Sequence, residues 1–177
     1  MFEKLNNGGI FLSRFEQQDS QTIFQAVIDS KHEISPWFSW LTPQYCQIDA
    51  NDFVTLQIDN WNKNLEYTFT IKNIQGSLLG IIGLHIFDPQ NDVASIGYWI
   101  HTKYTGKGYC TQALRLLINN ALKPLNLIRI ELLIATKNIA SQRVAEKAGG
   151  IFEATLKNRI RLNGLAVDAN IYAFVAG

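Results

Sequence analysis

Cysteine is scarce in this chain. Cys46 and Cys110 are the only two in 177 residues, and they match no metal or disulfide spacing. They read as reduced thiols, which makes a cytoplasmic protein the expectation. An excess of either charge is also missing. Sixteen Lys and Arg stand against fifteen Asp and Glu, giving a net charge of +1 and a pI near 7.8. Nucleic-acid-binding domains usually show a pI above about 9, so nucleic acid is not an expected partner. No apolar run approaches the roughly 20 residues a membrane-spanning helix needs. The opening MFEKLNNGG has no apolar stretch of the signal-peptide kind. Repeats, low-complexity tracts and Pro/Ser-rich linkers are absent as well.

What is present is apolar material, 47% of the residues. That is enough for one sizeable core, and residues 1–177 read as a single domain. Ile10–Phe15 has strand character. Asp19 or Ser20 opens a helix to about Asp29, with Ile23, Phe24, Val27 and Ile28 on one face. SPWFSWLTPQ is a loop. A second helix spans roughly Asp49–Asn62, anchored by Phe53, Leu56 and Trp61. Three strands, Leu65–Lys72, Leu78–Phe87 and Ala94–His101, follow as a meander joined by turn-like NIQGS and DPQND. Then come helix Tyr109–Leu122, strand Leu127–Thr136 and helix Ile139–Ala148. Pro124 makes continuation of the first of these helices unfavourable. Strands Ile151–Leu162 and Ala166–Val175 meet at Asn163-Gly164, a strong hairpin signal. The order β-α-α-β-β-β-α-β-α-β-β implies an α+β, or mixed α/β, sheet. It holds too few βαβ units for a doubly wound dinucleotide fold.

The stretch YTGKGYCTQALRLLI places Gly106 and Gly108 just before an apolar helix. It fails as a phosphate loop of the G-x-x-x-x-G-K-S/T kind, because Gly108 follows Lys107 and no glycine stands five residues before Gly106. It fails as G-x-G-x-x-G, because Thr111 stands at the third position. A third reading remains. Helix N-termini carry unpaired N–H groups and partial positive charge, and glycine lets phosphate oxygens approach the backbone. An ordinary glycine-rich turn is the competing reading on spacing alone.

The neighbouring residues extend the pattern. SIGYWIHTKYTGKGYCTQAL, followed some thirty residues on by NIASQRVAEKAG, resembles the GNAT superfamily of N-acetyltransferases, and within it the RimJ/RimL type that acetylates ribosomal-protein N-termini. Gly108 fits the central glycine of the family signature. Thr105 replaces its usual Gln or Arg, and Cys110 its final small residue. The closing LNG…DANIYAFV hairpin fits as well. The resemblance implies a largely antiparallel twisted sheet of about seven strands with a splayed parallel pair, flanked by about four helices.

It also implies acetyl-CoA as cofactor, coenzyme A as product, and no metal. The pyrophosphate would lie on the turn of Thr105, Gly106, Lys107, Gly108, Tyr109, Cys110 and Thr111. Pantetheine would run along Tyr98, Trp99, Ile100 and His101, mainly through main chain. Asn138 would touch the pantetheine arm and Ser141 the sulfur. Asn138 is equally a good cap for its own helix, and Ser141 is tolerated in any first turn.

Acetylation of an amine needs a neutral nitrogen, a donor for the oxyanion and a proton for the leaving thiolate. Ser141 is the candidate for that last role. No carboxylate base carries over. Ser95 and Ile160 stand where related enzymes have glutamates. His85 on a central strand is the candidate base, with a structural histidine as the alternative. Glu66, Asp88 and Tyr172 stay open. Trp37 and Trp40 are candidate walls of the acceptor site, against a packing role. Cys110, at the pyrophosphate end, is not an expected acyl carrier.

The expected activity is acetyl transfer from acetyl-CoA to the α-amino group of a protein, a ribosomal protein by resemblance, directly within a ternary complex. A small-molecule amine acetyltransferase is one alternative, and a non-catalytic acyl-CoA-binding module another. The expected partner is thus an amine acceptor, with no nucleic acid and no membrane. A homodimer stays an open option.

Overall fold

The structure, a computed structural model, describes residues 4–175. Among them, eight strands form one sheet in the order β1-β2-β3-β4-β5-β6-β8-β7. The strands are β1 (Lys4–Asn6), β2 (Ile10–Arg14), β3 (Tyr67–Asn73), β4 (Leu78–Asp88), β5 (Val93–Ile100), β6 (Arg129–Ala135), β7 (Ile151–Leu162) and β8 (Leu165–Val175). The helices are α1 (Asp19–Asp29), α2 (Lys31–Ile34), α3 (Gln47–Asn62), α4 (Tyr109–Ala121) and α5 (Ile139–Ala148). The expected mixed architecture is therefore present, with β1 and α2 added. Both additions are too short for periodicity to mark.

Every strand pair is antiparallel except β5 with β6. That parallel pair is short, running only from Val93 opposite Arg129 to Ser95 opposite Glu131. Beyond it the strands part company. β5 stays paired to β4 through Ile100, and β6 to β8 through Ala135. Each thus has one edge satisfied and the other facing a gap. Strand N–H and C=O groups are obligatory hydrogen-bonding groups, so an open edge inside a sheet calls for a partner.

The helices cover the sheet through two apolar clusters. One joins Ala113, Leu114, Leu117 and Ile118 of α4 to Ile82, Leu84, Ile130 and Leu132 of the sheet. The spacing of those α4 residues is that of one helix face. Leu114 and Leu117 are wholly buried, and truncating such a leucine typically costs about 2–5 kcal/mol. The other cluster packs Ile23 and Val27 of α1 and Val54 of α3 against Ile81 and Trp99.

α3 corrects one sequence expectation. Its core residues are Ala50, Val54, Gln57 and Trp61. Leu56 is exposed and borders a cleft described below. The helix turns a polar residue, Gln57, inward, because that residue serves a buried hydrogen-bond network.

β5 divides its side chains by parity, as a strand must. Ala94 and Ile96 lie in the α4 cluster, with Tyr98 and Ile100 packed against it. Trp99 lies in the α1–α3 cluster, and Gly97 faces the same way, against the His85 ring. At the far end of the chain, Asn163 and Gly164 both take positive φ, 49° and 83°. That is the primed turn a tight right-twisted hairpin prefers. The hairpin tip meets the loop after α2: Ser39 Oγ donates to the Arg161 carbonyl and accepts from the Asn163 amide.

Candidate active site

Two clefts meet at Gly97, Tyr98 and Trp99 of β5. The first, about 610 Å³, occupies the gap between β5 and β6. Its walls are Ile96–Ile100, Leu132–Ala135, the glycine turn and the start of α5. Gly106 and Gly108 have φ of 74° and 79°, which disfavours any residue with a Cβ. A Cβ there would meet nothing within 4 Å, so conformation rather than space requires glycine. Gly108 is the residue before α4 and has no side chain to cap it. The first amides of α4 therefore lack a side-chain partner at the cleft, an arrangement suited to an anion.

Of the candidate cofactor residues, Tyr98, Trp99, Ile100, Thr105, Gly106, Gly108, Tyr109, Cys110, Thr111, Asn138 and Ser141 all line this cleft. Two do not. Lys107 holds its ammonium over the Tyr104 ring, 5.5 Å from the centroid. His101 turns toward α1, with Nε2 3.3 Å from Asp29 Oδ2. Its Nδ1 accepts from the Lys103 amide, so Nε2 carries the proton. Asn138 caps α5 by accepting from the Ser141 amide at 3.1 Å, so a ligand would meet its Nδ2.

Ser141 is tied to an unexpected side chain. Its Oγ donates to the Tyr98 hydroxyl at 2.9 Å, and that hydroxyl donates to the Ser141 carbonyl at 3.0 Å. Burial pushes the Tyr98 phenol well above its ordinary range, so it stays protonated. Burial likewise pushes the Cys110 thiol up, which makes it a poor nucleophile.

The second cleft, about 740 Å³, lies on the α1–α3 side of the sheet. Its rim is aromatic. Trp40 sits 5.6 Å from Phe38 and 5.7 Å from Tyr45, centroid to centroid. Burial, helped by Asp49, pushes the Tyr45 phenol up to about 12. Trp40 is 46% exposed, which rules out a core role. Trp37 is separated from it and lines the first cleft instead. Its polar lining includes Asp49, Asp52, Gln57, Asn60, Glu66, Thr68 and His85. Glu66 Oε2 accepts from Gln57 Nε2 and Asn60 Nδ2, both at 3.2 Å, while Gln57 Oε1 accepts from Thr68 at 2.7 Å.

Asp88 and Tyr172, left open as bases, drop out on geometry, and Ser95, which stands where relatives have a glutamate, is also engaged elsewhere. Ser95 Oγ is committed to the His85 carbonyl at 2.6 Å. Asp88 accepts from the amides of its own turn. Tyr172 donates to Glu146 and lies outside both clefts. Among the described residues, no group of three or more His, Cys, Asp and Glu side chains is placed to hold a metal ion.

Residues 10–151 match the family described as the acetyltransferase (GNAT) domain. This chain is a member of that family. It is 29% identical over 153 residues to the ribosomal-protein-serine acetyltransferase of Escherichia coli (strain K12), covering 85% of this chain and 84% of the other. Its fold superposes with a TM-score of 0.91 on RimL, a ribosomal L7/L12 α-N-protein acetyltransferase in complex with coenzyme A, at 22% identity and 98% coverage of both chains. The microcin C7 self-immunity acetyltransferase MccE, in complex with acetyl-CoA and AMP, gives 0.89 at 26% identity, covering 96% of this chain and 94% of that one. No helix among the described residues is long and apolar enough to cross a membrane.

The protein is thus a GNAT N-acetyltransferase that uses acetyl-CoA, and the reading as a non-catalytic binding module falls away. The unpaired edges of β5 and β6 fit a pantetheine, whose amides can pair with a strand as another strand would. Sequence reasoning missed several residues of the two clefts. Arg143 and Lys147, four apart on α5, add positive charge to the first cleft; their shared helix face was the available signal. The Tyr98 hydroxyl was missed because its residue was read as main-chain contact. Tyr45, Asp49 and Asp52 come from a loop and from α3, and no motif joins them.

Proposed function

We propose that this chain, acting as one N-acetyltransferase domain, transfers acetyl from acetyl-CoA directly to the α-amino group of a protein N-terminus. The supporting observation is the meeting of two clefts at Gly97–Trp99. One side suits an extended cofactor. The other has carboxylates to attract an ammonium and aromatic rings to hold the residue that carries it. Both substrates would then reach β5 together, as transfer within a ternary complex requires. The raised thiol of Cys110 argues against an acyl-enzyme.

In this reading Arg143 and Lys147 face the phosphates and the amides at the head of α4 cradle the pyrophosphate. A backbone N–H on the open edge of β5 meets the developing oxyanion. The Tyr98–Ser141 pair delivers a proton to the departing sulfur. The experiment is a thiol-release screen with acetyl-CoA, peptides bearing free α-amino groups, ribosomal proteins and small amines. Turnover of peptide or protein N-termini well above that of polyamines, amino acids and antibiotics is expected. The reverse order would make this a small-molecule enzyme.

A further inference from the structure

We infer that His85 takes the proton from the acceptor's ammonium group, seated for that task by a glycine slot and by Glu66. The inference rests on the N-acetyltransferase function proposed above.

The slot is built from a cross-strand pair. Gly83 on β4 stands directly opposite Gly97 on β5. A Cβ on Gly97 would lie 3.3 Å from His85 Cδ2 and 3.4 Å from Nε2; one on Gly83 would lie 3.1 Å from Cε1. The imidazole therefore lies across two residues that have no side chains, with its Nε2 edge beside Gly97. Gly97 belongs to both clefts, so this edge faces the place where the two substrates meet. The opposite edge, Nδ1, is 3.8 Å from Glu66 Oε2. That distance suits charge attraction but exceeds a hydrogen bond. Glu66 is itself held by Gln57 and Asn60. A carboxylate on the Nδ1 side favours the proton there and leaves the Nε2 lone pair for the substrate.

The charge balance suits a base. Burial lowers the basicity of His85, while the Glu66 carboxylate opposes that effect. Asp49, Asp52, Tyr45 and Tyr98 are the other ionisable groups lining this cleft. The ring is therefore neutral at physiological pH, when an α-amino group with pKa of about 8 is still mostly charged. His85 Nε2 accepts one proton from the ammonium. The freed nitrogen lone pair attacks the thioester carbonyl, forming the C–N bond and an oxyanion, whose collapse breaks the C–S bond. The nitrogen's second proton passes, by way of the Tyr98–Ser141 pair, to the departing sulfur as the amide forms. That proton makes the sulfur a thiol, and the imidazolium releases its own to water through the open cleft.

The test compares pH profiles of kcat/KM for N-terminal peptides of graded α-amino pKa. In the wild type, the acidic limb should lie below about 6.5 and stay fixed across the peptides. His85→Gln should still bind acetyl-CoA, fall about 10²- to 10⁴-fold near pH 7, and show a limb that follows each peptide's own pKa. Gly97→Ala, whose methyl group displaces the ring, should lower kcat and keep the fixed limb. Glu66→Gln should move the limb to lower pH. A folded His85→Gln enzyme with the wild-type limb and rate overturns the inference. NMR titration of the His85 ring needs no acceptor and so separates this inference from the choice of substrate. A midpoint that coincides with the fixed limb of kcat/KM and falls in Glu66→Gln supports it; a midpoint that does not coincide with that limb overturns it.

Discussion

The two clefts flanking β5 are made of different material. The first is largely backbone: the parted edges of β5 and β6, the turn at Gly106–Gly108, and the head of α4. In the proposed reading much of its recognition comes from amides that exist in every sequence, and many of its residues matter because they shape or expose those amides. The second cleft is built of side chains drawn from the loop after α2, from α3, and from the ends and middles of β3 and β4. Its chemistry depends on which residue stands where. A cofactor common to a whole family can be held by the first kind of site, while acceptors that differ between members need the second.

The largest expected effect on cofactor binding lies in the backbone cleft. Gly108→Asp should weaken acetyl-CoA binding about a hundredfold, roughly 2.7 kcal/mol. Gly108→Asn has nearly the same shape and tolerates positive φ better than most residues, so it should lose much less. Calorimetric titration of both variants checks this, and equal losses would show that shape rather than charge governs the turn. Next come the groups at the junction. Ser141→Ala and Tyr98→Phe should each lower kcat by about ten- to a thousandfold with little change in acetyl-CoA affinity, because a donor to developing charge acts in the transition state. Steady-state kinetics paired with direct binding measurements separates the two parameters.

A smaller effect sharpens the contrast between the clefts. Trp40→Ala should raise the acceptor KM about tenfold, roughly 1.4 kcal/mol, and leave the acetyl-CoA KM unchanged. Trp37→Ala should do the reverse, since it lines the other cleft. Matching KM changes for the two variants would erase the division. The smallest effect is on stability. The folded-state pKa of His85 is lowered, so the folded protein binds fewer protons there than the unfolded chain does. Its contribution is fully present above the unfolded value of about 6.5 and is lost as pH falls toward the lowered one. Denaturant melts from pH 7.5 to 5 should show the wild type losing more stability than His85→Gln.

The same contrast explains what could be read in advance. Elements with strong periodicity, such as α4 and α5, and the Asn163-Gly164 hairpin stand where expected. The first cleft was legible because its residues fall in short runs of sequence: a strand and glycine turn leading into a helix, and an Asn-x-x-Ser further along the chain. The second cleft was not, because Glu66 nears His85 only through β3–β4 pairing, and Gln57 reaches Glu66 and Thr68 only through α3 packing. Leu56 and Gln57 exchange the roles that hydrophobicity alone would give them. Trp37 and Trp40, three residues apart, were grouped by proximity in sequence, yet the loop sends them to different clefts.

The alternation along β5 also constrains how this site can evolve. Ile96, Tyr98 and Ile100 point to the α4 side of the sheet and Gly97 and Trp99 to the α1–α3 side, so deleting or inserting a single residue between Ala94 and Ile100 would exchange the two sets of side chains. Both sites would be lost in one event. The register irregularity between His85 and Phe87, on neighbouring β4, shows where the sheet does accommodate an extra residue. Length variation among descendants of this chain should therefore be tolerated beside that bulge and in the 88–92 turn, whereas β5 should change only by substitution.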